Sequence, residues 1–279
     1  MNINIRKFPY PYKCALAISS DIDNASSLES FVQFMDFLNS EKQTMYGSGL
    51  GLEVGNSFWF FNGSNSPQLS YFEGTTEKET AFAPIIRSYL ESRHIDTLHS
   101  WGNFDNGGFE RSYAEIGVRV LKKYNFNIPV WINHGINLNH QKIGDYPNMY
   151  GDDPTHPCYH TDLLSECGFE FIWTGKVTHV IGQNSRKNFS TISKLFIQKI
   201  LKKIKYQHLK DPIYDNDNNL INPLLLRDGD KKWEFIRFIN SWGNAGELDL
   251  YEFVEQIKTP HLKRLIKNQG VMILYTHFN

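Results

Sequence analysis

Asp21 and Asp23 are separated by a single residue in Ser19-Ser-Asp-Ile-Asp-Asn24. Two carboxylates this close repel each other, so a site with both ionised holds a cation, and otherwise the pair shares a proton. Acids here would equally suit the first turn of a helix, where unpaired N–H groups favour negative charge. Three histidines stand in comparable settings: His99 in Leu98-His-Ser-Trp-Gly-Asn103, His134 in Trp131-Ile-Asn-His-Gly135, and His277 in Tyr275-Thr-His277. Imidazole is the commonest metal ligand among side chains and exchanges protons closest to neutral pH. Any one of these histidines alone would read as a satisfied core or loop residue.

What sets them apart is the segment before each. Cys14–Ser19, Ile95–His99, Ile128–Ile132, Phe169–Trp173, Leu220–Leu226 and Val271–Tyr275 are short apolar runs that read as buried strands. They lead, in turn, into Asp21 and Asp23, into His99 and Asn103, into Asn133 and His134, into Thr174, into Arg227 and Asp228, and into His277. Helical spacing separates them at Ser27–Leu38, 76–92, Glu110–Tyr124, Asp162–Cys167, Leu248–Ile257 and His261–Lys267. Strand and helix in alternation imply a mainly parallel sheet with crossover helices. A closed α/β barrel and a doubly wound sheet both fit, and both gather chemistry at the C-terminal ends of their strands.

The expectation is one domain over residues 1–279 with two insertions. The Gly-rich stretch 44–72, which contains Ser57-Phe-Trp-Phe-Phe61, reads as a β-hairpin over the first loop. Residues 176–219 read as an irregular insertion. Within it, Ser193–Tyr206 is basic and amphipathic. A solvated helix face is preferred there over a membrane or nucleic-acid surface, because the segment stands alone in a chain of near-neutral charge.

The formal charge of −1 gives no global attraction to nucleic acid or anionic membrane. Cys14, Cys158 and Cys167 include no C-x-x-C pair, so no thiolate zinc site is signalled. An odd cysteine count and a polar N-terminus without an apolar leader point to a reducing, cytoplasmic setting. No apolar stretch approaches a membrane span. Aromatic residues make up 14%, which both a packed core and sugar-stacking platforms would explain, the core being preferred.

The segments ALAISSDID, LHSWGNFD and ILYTHF resemble, in order and position, the first, second and last motifs of the polysaccharide deacetylases of carbohydrate esterase family four and their relatives. The resemblance runs from residue 15 to residue 277. It implies a distorted (β/α) barrel of about seven parallel strands. It also implies removal of an N-acetyl group from a sugar or glycan, with one divalent ion, zinc first. Asp21 then matches the catalytic base, Asp23 the metal-binding acid, His99 the first metal histidine and His277 the general acid. The family's second metal histidine falls on Asn103, a weaker oxygen donor. Asn103 itself, His134 or His160 is therefore expected to complete the metal site, His134 before His160. WINHG occupies the place of the third motif, and Arg227-Asp228 could replace the Arg–Asp pair that tunes the base. Trp101, Asn133, His160, Arg227 and Asp228 are the candidate substrate contacts. Two alternatives remain: a barrel that binds glycan without turnover, and a hydrolase of a non-sugar C–N bond. The chain ends two residues past His277, where a barrel ordinarily adds a helix, so a longer natural chain is expected.

Overall fold

The computed structural model describes residues 6–21, 25, 27–64, 68–135, 138–185, 189–205, 218–239 and 250–277. The first half runs β1 (Ala15–Asp21), α1 (Leu28–Asn39), β2 (Gln43–Thr44), β3 (Gly47–Ser48), β4 (Gly55–Phe58), β5 (Phe61–Asn62), α2 (Ala83–Glu91), β6 (Ile95–Leu98), β7 (Gly102–Asn103), α3 (Arg111–Lys123) and β8 (Val130–Ile132). The second half runs α4 (Thr161–Glu166), β9 (Phe171–Trp173), β10 (Val177–Thr178), α5 (Phe189–Lys205), β11 (Ile221–Leu225), β12 (Lys231–Phe235), β13 (Arg237–Phe238), α6 (Leu250–Gln256), α7 (Thr259–Asn268) and β14 (Val271–His277).

The main sheet has eight strands in the order β11-β12-β9-β8-β6-β4-β1-β14. The pairs β1–β4, β4–β6, β6–β8, β8–β9 and β9–β12 are parallel. The Ala15 N–H donates to the Gly270 carbonyl (3.2 Å), which sets the starts of β1 and β14 side by side. This overturns the (β/α) barrel. From β1 to β12 the strand order follows the chain, as it would in a barrel, because each crossover steps one strand in the same direction. A barrel would then close by pairing its last strand with both ends of the sheet. Here β14 pairs at β1, while β11 turns back from β12 and occupies the far edge, so the sheet is open.

The chain divides into two compact units. One comprises residues 1–18, 175–222 and 235–276, and the other 19–174, 223–234 and 277–279. The second unit holds a continuous apolar core that includes Phe31, Met35, Phe58, Phe60, Trp101, Trp131, Leu164 and Ile172. Local sequence explains its helices. Ser27 caps α1 by accepting the Ser30 N–H (3.1 Å), and α1 then buries Phe31, Met35 and Leu38. Helix α3 buries Ala114, Gly117, Val118 and Leu121, the i, i+3, i+4, i+7 stripe of a helix facing a core. Gly117 is required there, because a Cβ would lie 2.6 Å from the Trp101 ring.

The reading of 44–72 as one hairpin excursion is also corrected. Among the described residues of this stretch, β2 and β3 form a small antiparallel hairpin. Gly55–Phe58 is instead a central strand, lying between β1 and β6. Gly55-Asn-Ser-Phe58 carries a single large apolar side chain, yet Asn56, Ser57 and Phe58 are all buried, as in a strand covered on both faces, so no apolar run or alternation within it marks it. After β11 the chain makes two strands with a break at Ile236. Lys231–Phe235 belongs to the main sheet, and Arg237–Phe238 pairs in parallel with Val177–Thr178.

Candidate functional site

Parallel strands that start together also end together, so Asp21, which ends β1, and the residues after β6 and β8 meet at one end of the sheet. Asp21 ends β1 and is fully buried. The Ser57 hydroxyl, one strand away on β4, donates to its Oδ1, in the register that pairs Asp21 with Ser57. His99, immediately after β6, brings Nδ1 to 3.6 Å from the same Asp21 oxygen. Its Nε2 lies 3.1 Å from Nδ1 of His134, two residues past β8. His134 Nε2 in turn lies 3.8 Å from Oδ2 of Asp105. The result is a continuous line of groups, Ser57–Asp21–His99–His134–Asp105.

The surroundings hold this line in place. Trp59 stacks on His99 (centroids 5.5 Å apart, 19° between planes) and meets His134 edge-on (4.8 Å, 77°). Ser100 adopts a left-handed backbone with φ of 57°, uncommon for a residue with a side chain. Its hydroxyl donates to the Ile132 carbonyl (3.0 Å) and accepts the His134 N–H (3.0 Å), tying the exit of β6 to the exit of β8. Gly135 is needed twice over. Its φ is +85°, and a Cβ there would lie 1.7 Å from Asp105 Oδ1.

Burial pushes the His134 pKa down to about 3, the neighbouring His99 and His277 add to that, and Asp105 and Asp21 pull the other way. His134 is therefore neutral near pH 7. The influence of His277 places the end of β14 in the same electrostatic neighbourhood. Lys142, buried close by, donates to the Gly135 carbonyl (3.1 Å), and burial lowers its pKa against the pull of Asp105.

The other sequence candidates fall elsewhere. Asp23 lies outside the described residues. Asn103 is buried and points along its own turn, donating to Gln68 Oε1 (2.8 Å) and accepting the Asp105 N–H (3.1 Å). Asn133 accepts from the Trp131 indole and the Ile143 N–H (both 3.0 Å) and donates to the Ile143 carbonyl (2.7 Å), so it shapes the loop after β8. Trp101 has no exposed surface with which to stack a sugar, and its indole N–H donates to His160 Nδ1 (3.2 Å). Arg227 and Asp228 lie in the turn that enters β12, at the N-terminal edge of the parallel strands and away from Asp21. Arg227 pairs with Asp152 (2.6 Å), and Asp228 accepts from Thr161 (2.5 Å) and Tyr159 (3.2 Å). The turn of the hairpin reverses the chain, so the end of β11 belongs to the opposite edge.

His160 is not a ligand candidate either. Besides accepting from Trp101, it donates from Nε2 to the Gln141 carbonyl (2.7 Å), so both ring nitrogens are used by the neutral form. Burial lowers its pKa from 6.5 to about 4. Protonation would put a hydrogen on Nδ1 against the indole N–H. Unfolding releases the ring to titrate near its ordinary value, so below about pH 6.5 the unfolded state binds the extra proton. Native stability is expected to fall from pH 6.5 to pH 4, with about 3 kcal/mol of that loss from this residue. Urea midpoints measured across that range should fall less steeply in His160→Gln than in the wild type. Identical slopes would show that the ring charges in the fold without penalty.

Sequence reading missed Ser57, Trp59, Asp105 and Lys142. The first two had a usable signal, the apolar run Ser57–Phe61 between Gly55 and Gly63. Asp105 closes the segment LHSWGNFD, two residues past Asn103, but an acid in a Gly-rich turn is ordinary, so its type does not single it out. Comparison of the chain with protein-family models, with curated proteins and with solved structures finds no match.

Proposed function

We propose that this chain is a metal-dependent hydrolase that removes an N-acetyl group from a sugar or glycan. The observation that carries the reading is the proton count along the histidine pair. The 3.1 Å contact between His99 and His134 needs one N–H and one lone pair. If each ring carries one proton, the outer nitrogens cannot both be donors. Either His134 Nε2 turns a lone pair toward the Asp105 carboxylate, or His99 Nδ1 turns one toward Asp21. A lone pair facing a carboxylate oxygen is repulsive, and a cation between them removes the repulsion. The count is symmetric between the two ends, and the His134–Asp105 end is the more exposed (side chains 17% and 27%, against 5% and 1% for His99 and Asp21), so water and substrate reach an ion there.

The donor chemistry fits a zinc-type ion, which takes imidazole nitrogen and carboxylate oxygen at about 2.0–2.2 Å. Two donors 3.8 Å apart are closer than twice that bond length, so one ion can reach both at an open angle. Among the described residues no three His, Cys, Asp or Glu side chains already form a metal-binding group. His134 and Asp105 would hold the ion, with Asp23 as the further acid that the family resemblance implies. A bound divalent ion would polarise the acetyl carbonyl and lower the pKa of water.

The chain's own residues supply the rest. Asp21, oriented by the Ser57 hydroxyl, takes the proton from the attacking water. His99 bridges Asp21 to His134 and keeps both in line. His277, at the end of β14, gives the leaving amine its proton. The test is elemental analysis of the purified protein together with acetate release from N-acetylated sugars and from non-sugar amides. Bound divalent metal with acetate released from the sugars is the expected result. Turnover of the non-sugar amides alone would keep the hydrolase and discard the sugar, and glycan binding without any turnover would discard the hydrolase.

A further inference from the structure

Helix α5, Phe189–Lys205, packs the wrong way round for a helix on a globular unit. Such a helix ordinarily turns its apolar stripe to the core and its polar face to water. In α5 the inward face is held by polar groups. Thr191 and Gln198 are buried, and Gln198 Oε1 accepts the His179 N–H (2.8 Å). Lys194 also points inward, donating to the His179 carbonyl (2.8 Å). The outward face carries Phe189, Ile192, Phe196, Ile197, Ile200 and Ile204, with exposures from 40% at Ile200 to 85% at Phe189. The steps 189, 192, 196, 200 and 204 are three or four residues each, so these side chains form one continuous stripe.

Charge identifies what covers the stripe. The 17 residues of α5 include five lysines and no acid. We propose that α5 lies in the surface of an anionic bilayer, its exposed Phe and Ile side chains among the acyl chains and the exposed Lys199 at the headgroups. A lysine-rich helix with one aromatic and aliphatic face has the composition of interfacial helices, and each lysine near an anionic surface adds attraction. A second copy of the chain is a poor occupant, since it would set one lysine-rich, acid-free helix against another. No helix among the described residues is long and apolar enough to cross a membrane, so the contact is with one surface.

The test is co-sedimentation of the full chain with vesicles of mixed phosphatidylglycerol and phosphatidylcholine, and with vesicles of phosphatidylcholine alone. The protein is expected to bind the anionic vesicles, to bind the neutral ones far less, and to be released as salt screens the lysines. Phe196→Ser combined with Ile200→Ser should abolish binding. Lys199→Glu should weaken it on the order of tenfold, the effect of reversing one charge at an anionic surface. All three positions are exposed, and unchanged circular dichroism would show that the variants are folded. The proposal is overturned if the wild type binds neither vesicle, or if binding survives both variants. It is equally overturned if the protein dimerises through this face in solution, the dimer being lost in the double serine variant, without binding vesicles.

Discussion

Asp21→Asn is expected to cut acetate release by about 10²–10⁴-fold while the protein stays folded and keeps its metal. Asp21 is fully buried at the end of β1, receives the Ser57 hydroxyl on Oδ1, and has His99 Nδ1 at 3.6 Å. The amide oxygen of the replacement can still accept from Ser57, so the local geometry survives. The negative charge is lost, and with it the ability to take a proton from water. The measurement is single-substrate acetate release alongside metal content and the thermal midpoint. Full activity in this variant would remove the proposed base and with it the mechanism. A loss of activity that tracks a loss of metal would move Asp21 from base to ligand.

His134→Ala is expected to abolish retained metal, His99→Ala, which removes the group that holds His134 in line, to weaken it, and both to reduce acetate release to background. The double variant should be no worse than either single one, since residues that act as one unit are strongly non-additive. The basis is the direct contact between the two rings, with Asp21 at one end of the pair and Asp105 at the other. Removing His99 also leaves the stacked face of Trp59 uncovered, so alanine alone could act through packing. His99→Gln and His134→Gln keep more of the volume; His134→Gln should lose metal all the same, and His99→Gln should still weaken it. Metal content at the wild-type level in both glutamine variants would show that the pair is not part of a metal site. It would leave the line of groups as a proton path between two carboxylates.

Much of the site was legible before the fold was known. Asp21, His99, His134 and His277 each come at or just after the end of a short apolar run, and parallel strands deliver their C-terminal residues to a common edge. Helical spacing in Glu110–Tyr124 and the capping serine before α1 were equally readable, because both depend on residues within a few positions of one another. These are local properties, and local sequence determines them.

The tertiary structure decided the rest, and the reason is the same throughout: pairing and burial depend on residues distant in sequence. A chain-ordered run of strand–helix units serves a barrel and an open sheet alike. Only the pairing of β14 at β1, with β11 at the far edge, separates the two. Ser57 lies 36 positions from Asp21, and their contact exists because β4 inserts between β1 and β6. Trp101 and His160 have the composition of a sugar platform and a metal ligand. Burial against Trp131 and the hydrogen bond between them make them core instead. Arg227-Asp228 comes after a strand as the catalytic candidates do, but that strand runs against its neighbour, so the pair emerges at the wrong edge. The lysines of α5 were plain in the sequence. Which face of that helix meets the protein was not, because periodicity shows that a helix has two faces and only its packing partners determine which one is buried.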